Sequence, residues 1–341
     1  MKQQPSIISA DPLDESHGAG EVEEGADPAV ESELRAFVID AAHHGERLDR
    51  SLAALVPEFS RNYLRQLIEA GAVRLEGRTP TRPAATVRAG EQGSIELRPT
   101  PQSQAFRPEA MPLRVVYEDD DLRVIDKPVG LVVHPAPGHW SGTLLNGLLA
   151  LDPKAALLPR AGIVHRLDRD TSGLMVVART RRAMDALVAA IAARTVTRQY
   201  FALAHRPWQG APRRHVEAPI GRDPRNRLRM AVVDTERHPG KPARTLVELL
   251  DNGVQGCAVR CTLETGRTHQ IRVHMASLGH PLVGDALYSG AAAAGLARQG
   301  LHACRLSFVH PVTQAPLAFQ APLPADLQAA VAGWGLHYNE S

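Results

Sequence analysis

From residue 113 onward the chain returns repeatedly to one kind of segment, a short apolar run closed by turn residues. Such runs lie at 113–117, 122–126, 131–134, 174–178, 200–205, 244–250, 257–264, 269–274 and 305–309. Runs of this length, bounded by turn sequences such as Glu118-Asp119-Asp120-Asp121 and Lys127-Pro128-Val129-Gly130, read as strands. Helical periodicity interrupts them at 143–151 and at 181–194, where Met184, Leu187, Val188 and Ile191 share one face. Many strands and few helices must bury their apolar sides against one another. The expected fold class is therefore α+β: a large mixed, mainly antiparallel sheet with flanking helices, over residues 113–330. At 341 residues the chain also has room for a small accessory domain.

Ahead of that region the sequence changes character twice. Residues 1–34 carry nine acids against one base, Lys2, a net charge of −8; the chain total of +2 therefore leaves +10 on residues 35–341. So acidic and weakly apolar a tail cannot bury enough surface to offset chain ordering, and it is expected to be disordered. The basic remainder suits a polyanionic partner. Residues 35–98 read as a small α/β domain, with a strand at 37–39, helices at 46–55 and 61–70, and strands at 73–75 and 94–97. Ser60 is placed to cap the second helix and Gly71 to stop it, while Arg61 and Arg65 stand one turn apart on its polar face. Residues 99–112, rich in Pro, Gln and Ser, read as a linker, and 331–341 as a C-terminal tail.

One acid stands out by its setting. Asp168 lies between Arg166 and Arg169, just before the turn residues Asp170-Thr171-Ser172-Gly173 and the apolar run after them. That puts a carboxylate near a strand end, facing a cleft, where it can serve as nucleophile or base. The plain alternative is a loop acid paired with a neighbouring arginine. His165, His269, His274 and His280 lack the short spacing of a metal-ligand pair, and no metal is expected. Cys257, Cys261 and Cys304 read as reduced, buried thiols without a function.

The run from Gly162 to Val177, with the order His-Arg-Leu-Asp-x-x-Thr-Ser-Gly, closely resembles the catalytic segment of the RluA/RluD family of RNA pseudouridine synthases. The resemblance implies that Asp168, rather than Asp170, is the catalytic residue, and that Arg166 displaces the target base or fills its place. Thr265 to His274 resembles a third family motif, in which the arginine before Val-His pairs with the catalytic acid; that position is Arg272, expected on a strand with Gln270 and His274 on its side. Tyr200, in Arg198-Gln199-Tyr200-Phe201-Ala202-Leu203, resembles the family tyrosine that stacks on uracil, with Arg198 where the family usually carries lysine. The 46–71 region, with R-L-D-R-x-L-A and S-R-x-x-L-x-x-L-I-x-x-G, resembles the S4 RNA-binding domain and implies RNA contacts at Arg61 and Arg65. Gly221 to Val232 resembles a basic segment of the RluD branch, adding Arg222, Arg225 and Arg227, and His269 is read as a further RNA contact.

The likeness runs over residues 45–325. It implies an isomerase for uridines of large-subunit (23S) ribosomal RNA, acting on a flipped-out base without a cofactor. The expected partner is that RNA or its precursor particle, the expected state a monomer. No apolar run is long enough to span a bilayer and the acidic N-terminus is unlike a signal peptide, so a cytoplasmic location is expected. Two alternatives stand beside it: a synthase acting on transfer RNA, and a non-catalytic RNA chaperone or assembly factor, which would have no need of Asp168.

Overall fold

The structure is a computed structural model that describes residues 7–9, 32–98, 100, 105–136, 138–226 and 228–338. It contains two compact units, one of residues 32–107 and one of residues 108–338 together with 7–9. Most of the acidic tail lies outside the described residues, as do 99 and 101–104 of the expected linker. Two stretches of that tail, expected to be disordered, are strands instead: Ile7–Ser9 pairs in parallel with Pro316–Gln320, and the strand Glu33–Val38 begins inside it.

In the smaller unit, Gln92–Leu97 is the middle of a three-stranded antiparallel sheet, between Glu33–Val38 and Val73–Leu75. The helices Leu48–Leu55 and Arg61–Glu69 bury Leu48, Leu52, Leu64, Leu67 and Ile68 with Val73 and Ile95 from the sheet. Ser60 caps the second helix, its hydroxyl accepting from the Tyr63 N–H at 3.3 Å, and Gly71 follows it with φ +70°.

The larger unit is built on a ten-stranded sheet. Its main path runs Arg114–Glu118, Leu122–Lys127, Ser172–Ala178, Leu301–Val309, Thr197–His205, Gly256–Leu263, Arg244–Asn252 and Arg213–Glu217. Pro316–Gln320 branches from Leu301–Val309 and carries the short N-terminal strand. Along the main path only Ser172–Ala178 and Leu301–Val309 run parallel. The expected mixed, mainly antiparallel sheet is what forms.

Period-two alternation sends successive residues of one strand into different cores. Met175 and Val177 join Tyr200, Ala202, Val259 and the helix Leu144–Leu151 on one face. Leu174 and Val176 meet Ala183 and Leu187 of the helix Arg181–Ala192 on the other, where Phe201 and Leu203 pack with the helix Ala325–Gly333. A sheet covered on both faces needs apolar residues at every position, which is why these strands read as unbroken hydrophobic runs.

Besides the segment 269–274, which is helical from Gln270, two expected elements differ. Residues 131–134 form no strand; the Lys127 ammonium is buried beneath them and takes the carbonyls of Pro128 and Leu131 at 2.7 and 3.0 Å, so these groups serve a side chain instead of a ladder. Residues 331–338 are not a loose tail. Val331 and Leu336 are buried and the Tyr338 ring meets Phe201 edge-on at 4.8 Å, an apolar spacing that continues the terminal helix into the back core.

Gly173 marks the parallel crossing at the centre of the sheet. Its φ is +111°, and a Cβ there would lie 2.3 Å from the Ala303 carbonyl oxygen. Gly173→Ala is expected to destabilise the protein by about 3 kcal/mol, through strain at positive φ and forced separation of two strands. A urea titration compared with wild type measures it.

Candidate active site

The loop that carries Asp168 is pinned to the sheet from both ends. Ile163 bridges to Val177, and Ile163 and Leu167 are buried on the Tyr200 face. The His165 Nε2 accepts the Val176 N–H at 3.1 Å, and burial pushes its pKa down to about 3, so the ring is neutral. Beyond the acid, the Thr171 N–H closes a turn on the Asp168 carbonyl at 3.1 Å. The Lys127 ammonium donates to the Arg169 carbonyl at 2.9 Å, and the Gly130 N–H donates to the same oxygen at 3.0 Å. Burial pushes Lys127 down to about 8, which leaves it charged at neutral pH among three carbonyl acceptors. Asp168 thus stands just ahead of Ser172–Ala178, near a strand end as its sequence setting indicates.

Arg272 reaches Asp168 from a helix, not from the expected strand. Gln270–Ser277 is helical, begun by His269 in the left-handed conformation at φ +56°. The misreading has a physical cause: every residue from Gln270 to Met275 is buried, so Ile271, Val273 and Met275 alternate like a strand although no face of the turn is exposed. Gln270 anchors the helix start, its amide donating to the Arg244 carbonyl at 2.8 Å and to Thr245 Oγ1 at 2.9 Å. From there the Arg272 Nη1 donates to Asp168 Oδ2 at 3.0 Å, while Nε and Nη2 hold both oxygens of Asp285 at 2.7 and 2.8 Å. The Tyr288 ring lies against the guanidinium, 5.0 Å from its centre.

Asp285 and Tyr288 were not singled out from sequence. Their only sequence signal is a short turn, Val283-Gly284-Asp285, and nothing local distinguishes a buried acid there from a solvated one. Tyr288 also fixes His269: its oxygen accepts the Met230 N–H at 3.0 Å and is hydrogen-bonded to His269 Nδ1 at 2.8 Å. The other ring nitrogen, Nε2, lies 3.9 Å from Asp168 Oδ1. Burial holds His269 below its ordinary range against the pull of Asp168.

Asp168, Arg166, Tyr200, His269 and Arg272 all line one cleft of about 650 Å³. Tyr200 is buried in its floor with its hydroxyl pushed up to about 12, so it stays protonated. Arg166 is exposed at the margin. The lining includes six guanidinium groups, Arg160, Arg166, Arg194, Arg198, Arg267 and Arg272, against the carboxylates of Asp168 and Glu264. Among the described residues only Arg272 of these six is ion-paired.

The remaining residues expected to contact RNA do not line this cleft. Arg222 and Arg225 belong to a separate three-stranded sheet and the loop after it, and Arg227 lies outside the described residues. Arg61 and Arg65 are in the smaller unit, where Arg61 is tied to the buried Asp49 at 2.9 Å and Arg65 is half-exposed, 3.8 Å from Glu69. No group of three or more His, Cys, Asp and Glu side chains among the described residues is arranged to hold a metal ion. No helix among them is long and apolar enough to cross a membrane.

A carboxylate held on one oxygen by a buried arginine, over a tyrosine floor and inside a cationic cleft, suits work on a nucleotide. Comparison with known proteins agrees. Residues 121–277 match the family profile described as RNA pseudouridylate synthase, and residues 46–92 match that of the S4 domain. Over 296 residues the chain is 49% identical to the ribosomal large subunit pseudouridine synthase D of Neisseria meningitidis serogroup A, covering 83% of this chain and 77% of that one. The chain belongs to the RNA pseudouridylate synthase family. The Xanthomonas campestris pv. campestris protein of the same description is 47% identical over 312 residues, covering 88% of this chain and 92% of that one. Among solved structures, human RNA Pseudouridylate Synthase Domain Containing 1 is 28% identical with a TM-score of 0.51, over 65% of this chain and 88% of that one. Membership makes the protein an isomerase that converts uridine to pseudouridine in RNA.

The two acids near Arg272 and Arg169 should differ sharply when neutralised. Asp285→Asn removes a charge that is 1% exposed and leaves Arg272 half-compensated, at an expected cost of about 3 kcal/mol. Asp170→Asn breaks the pair with the exposed Arg169 and weakens the electrostatic support of the buried Lys127 ammonium, but leaves no buried charge without a partner, and should cost about 1 kcal/mol. Parallel denaturant titrations of both variants test the contrast.

Proposed function

We propose that this synthase modifies uridines of large-subunit ribosomal RNA, with Asp168 as its catalytic carboxylate. The observation that carries the reading is the hold on Asp168: Arg272 takes Oδ2 at 3.0 Å and leaves Oδ1 for the nucleotide. The reaction breaks the bond from ribose C1′ to uracil N1, turns the base and joins C5 to C1′. C5 loses a proton and N1 gains one, so atoms balance without a second substrate. An ionised carboxylate that stays charged after water is excluded can add to the sugar or the base, or take the C2′ proton; Arg272 supplies the counter-charge for each.

The uridine must leave its stack to reach that oxygen, which costs a few kcal/mol and least in a loop or single strand. Tyr200 offers an aromatic floor for the extruded uracil, and Arg166 at the margin is placed to fill the space it leaves. The unpaired arginines of the cleft attract the flanking phosphates. Arg61, Arg65, Arg222, Arg225 and Arg227 extend the RNA footprint beyond the cleft. The ribosomal target rests on the relatives, which are described as ribosomal large subunit pseudouridine synthase D across most of the chain. Such a substrate places the enzyme in the cytoplasm, on the large-subunit RNA or its precursor particle.

The test is a pseudouridine map of ribosomal RNA from cells lacking this protein, complemented with wild type or with Asp168→Asn. Wild type should restore specific sites and the variant none, with a rate loss in vitro on the order of 10⁴-fold and RNA binding retained. Restoration by Asp168→Asn defeats the assignment, and modified transfer RNA in place of ribosomal RNA defeats the target.

A further inference from the structure

Three arginines of the described chain are less than a tenth exposed: Arg123 at 3%, Arg198 at 6% and Arg272 at 7%. Buried charges are ordinarily paired, because desolvation is otherwise uncompensated. Arg123 has Glu118 and Asp152, and Arg272 has Asp168 and Asp285. Arg198 has no carboxylate within ion-pair distance among the described residues, and its Nε–H is buried without an acceptor. Its side chain lines the cleft on the same strand face as Tyr200, two residues away. Gly266 packs beside it, where a Cβ would stand 3.0 Å from Nη1, so the guanidinium is seated rather than loose.

A second donor without an acceptor lies in the same lining. His165 is neutral and its Nε2 accepts from Val176, which puts its proton on Nδ1. That Nδ1–H is buried and also has no partner. Neither group can accept a hydrogen bond in this state; both can only donate. What fits them is an anion rich in acceptor oxygens, and the substrate of this cleft carries one at every nucleotide.

We propose that Arg198 and the Nδ1–H of His165 form a subsite for one backbone phosphodiester next to the flipped uridine. The inference rests on the reading of the cleft as the RNA site. Arg198 is a positioning residue: it sets where the strand lies, while Asp168 acts on the nucleoside.

The experiment uses the full-length protein and a synthetic hairpin RNA with uridines in its loop. Binding is followed by fluorescence anisotropy between about 50 and 200 mM salt. Arg198→Met should weaken binding about tenfold at the lower salt and make the log–log salt slope shallower by about 0.7, the release expected for one single-strand phosphate. Arg198→Lys should recover the slope, because it keeps the charge, and kcat at saturating RNA should change little for either. With wild-type protein, replacing the loop phosphodiesters one at a time by uncharged methylphosphonates should flatten the slope at each contacted linkage. At one of these Arg198→Met should add no further loss while adding its own at the others, and Arg198→Gln carries the same comparison if the Met variant fails to fold.

An unchanged slope for Arg198→Met overturns the subsite, whether or not the protein makes pseudouridine. So does a lost kcat with the slope intact, which would assign the guanidinium to the base. A flattened slope in a protein that makes no pseudouridine upholds the phosphate subsite and refutes the reaction assignment instead.

Discussion

A single guanidinium joins three distant parts of the chain. Arg272 bridges Asp168, 104 residues before it, to Asp285, 13 residues after it, in surroundings from which water is largely excluded. One carboxylate cannot hold a buried arginine on two sides; with two, the charge is compensated and the planar fork is fixed in direction. The asymmetry fits the proposed catalytic role of Asp168. Asp285 is engaged through both oxygens and is spent on holding Arg272, whereas Asp168 is engaged through one and keeps the other free. Loop, helix and turn must all be in place before that arrangement exists, so the geometry around Asp168 reports on the packing of the elements that carry it.

The remaining constraints act on backbone. Lys127 gathers carbonyls from two loops, His165 takes an N–H from Ser172–Ala178, and Gln270 ties the start of the arginine-bearing helix to Arg244–Asn252. Each is a polar group buried where a strand or helix cannot satisfy the main chain. Together they make the irregular segments around the cleft as determinate as the ladders beside them.

Much of this was legible in the sequence because strand runs and turn residues report local physics. The individual strands from Leu122–Lys127 to Gly256–Leu263, the Ser60 cap and the placement of Asp168 beside Ser172–Ala178 follow from periodicity and turn chemistry, whereas the order of the strands in the sheet does not. The Thr265 to His274 segment, through its resemblance to a family motif, singled out Arg272 as well. What periodicity could not reveal was the helix that carries it, since a turn buried on all sides loses the polar stripe that marks a helix. Asp285 and Tyr288 were hidden for another reason: their importance lies in what they touch across the fold, and a short turn sequence carries no record of it. Arg198 was visible as a departure from lysine, but its lack of a counter-ion is a property of three-dimensional burial alone.

The branching of the sheet at Leu301–Val309 bears on synthesis as much as on stability. That strand lies between Ser172–Ala178, which follows Asp168, and Thr197–His205, which holds Tyr200. Acid and aromatic floor are translated early, yet the element that sets their spacing emerges more than a hundred residues after the acid. A nascent chain therefore holds both groups without their relative geometry, and it gains a working cleft only late in its own translation.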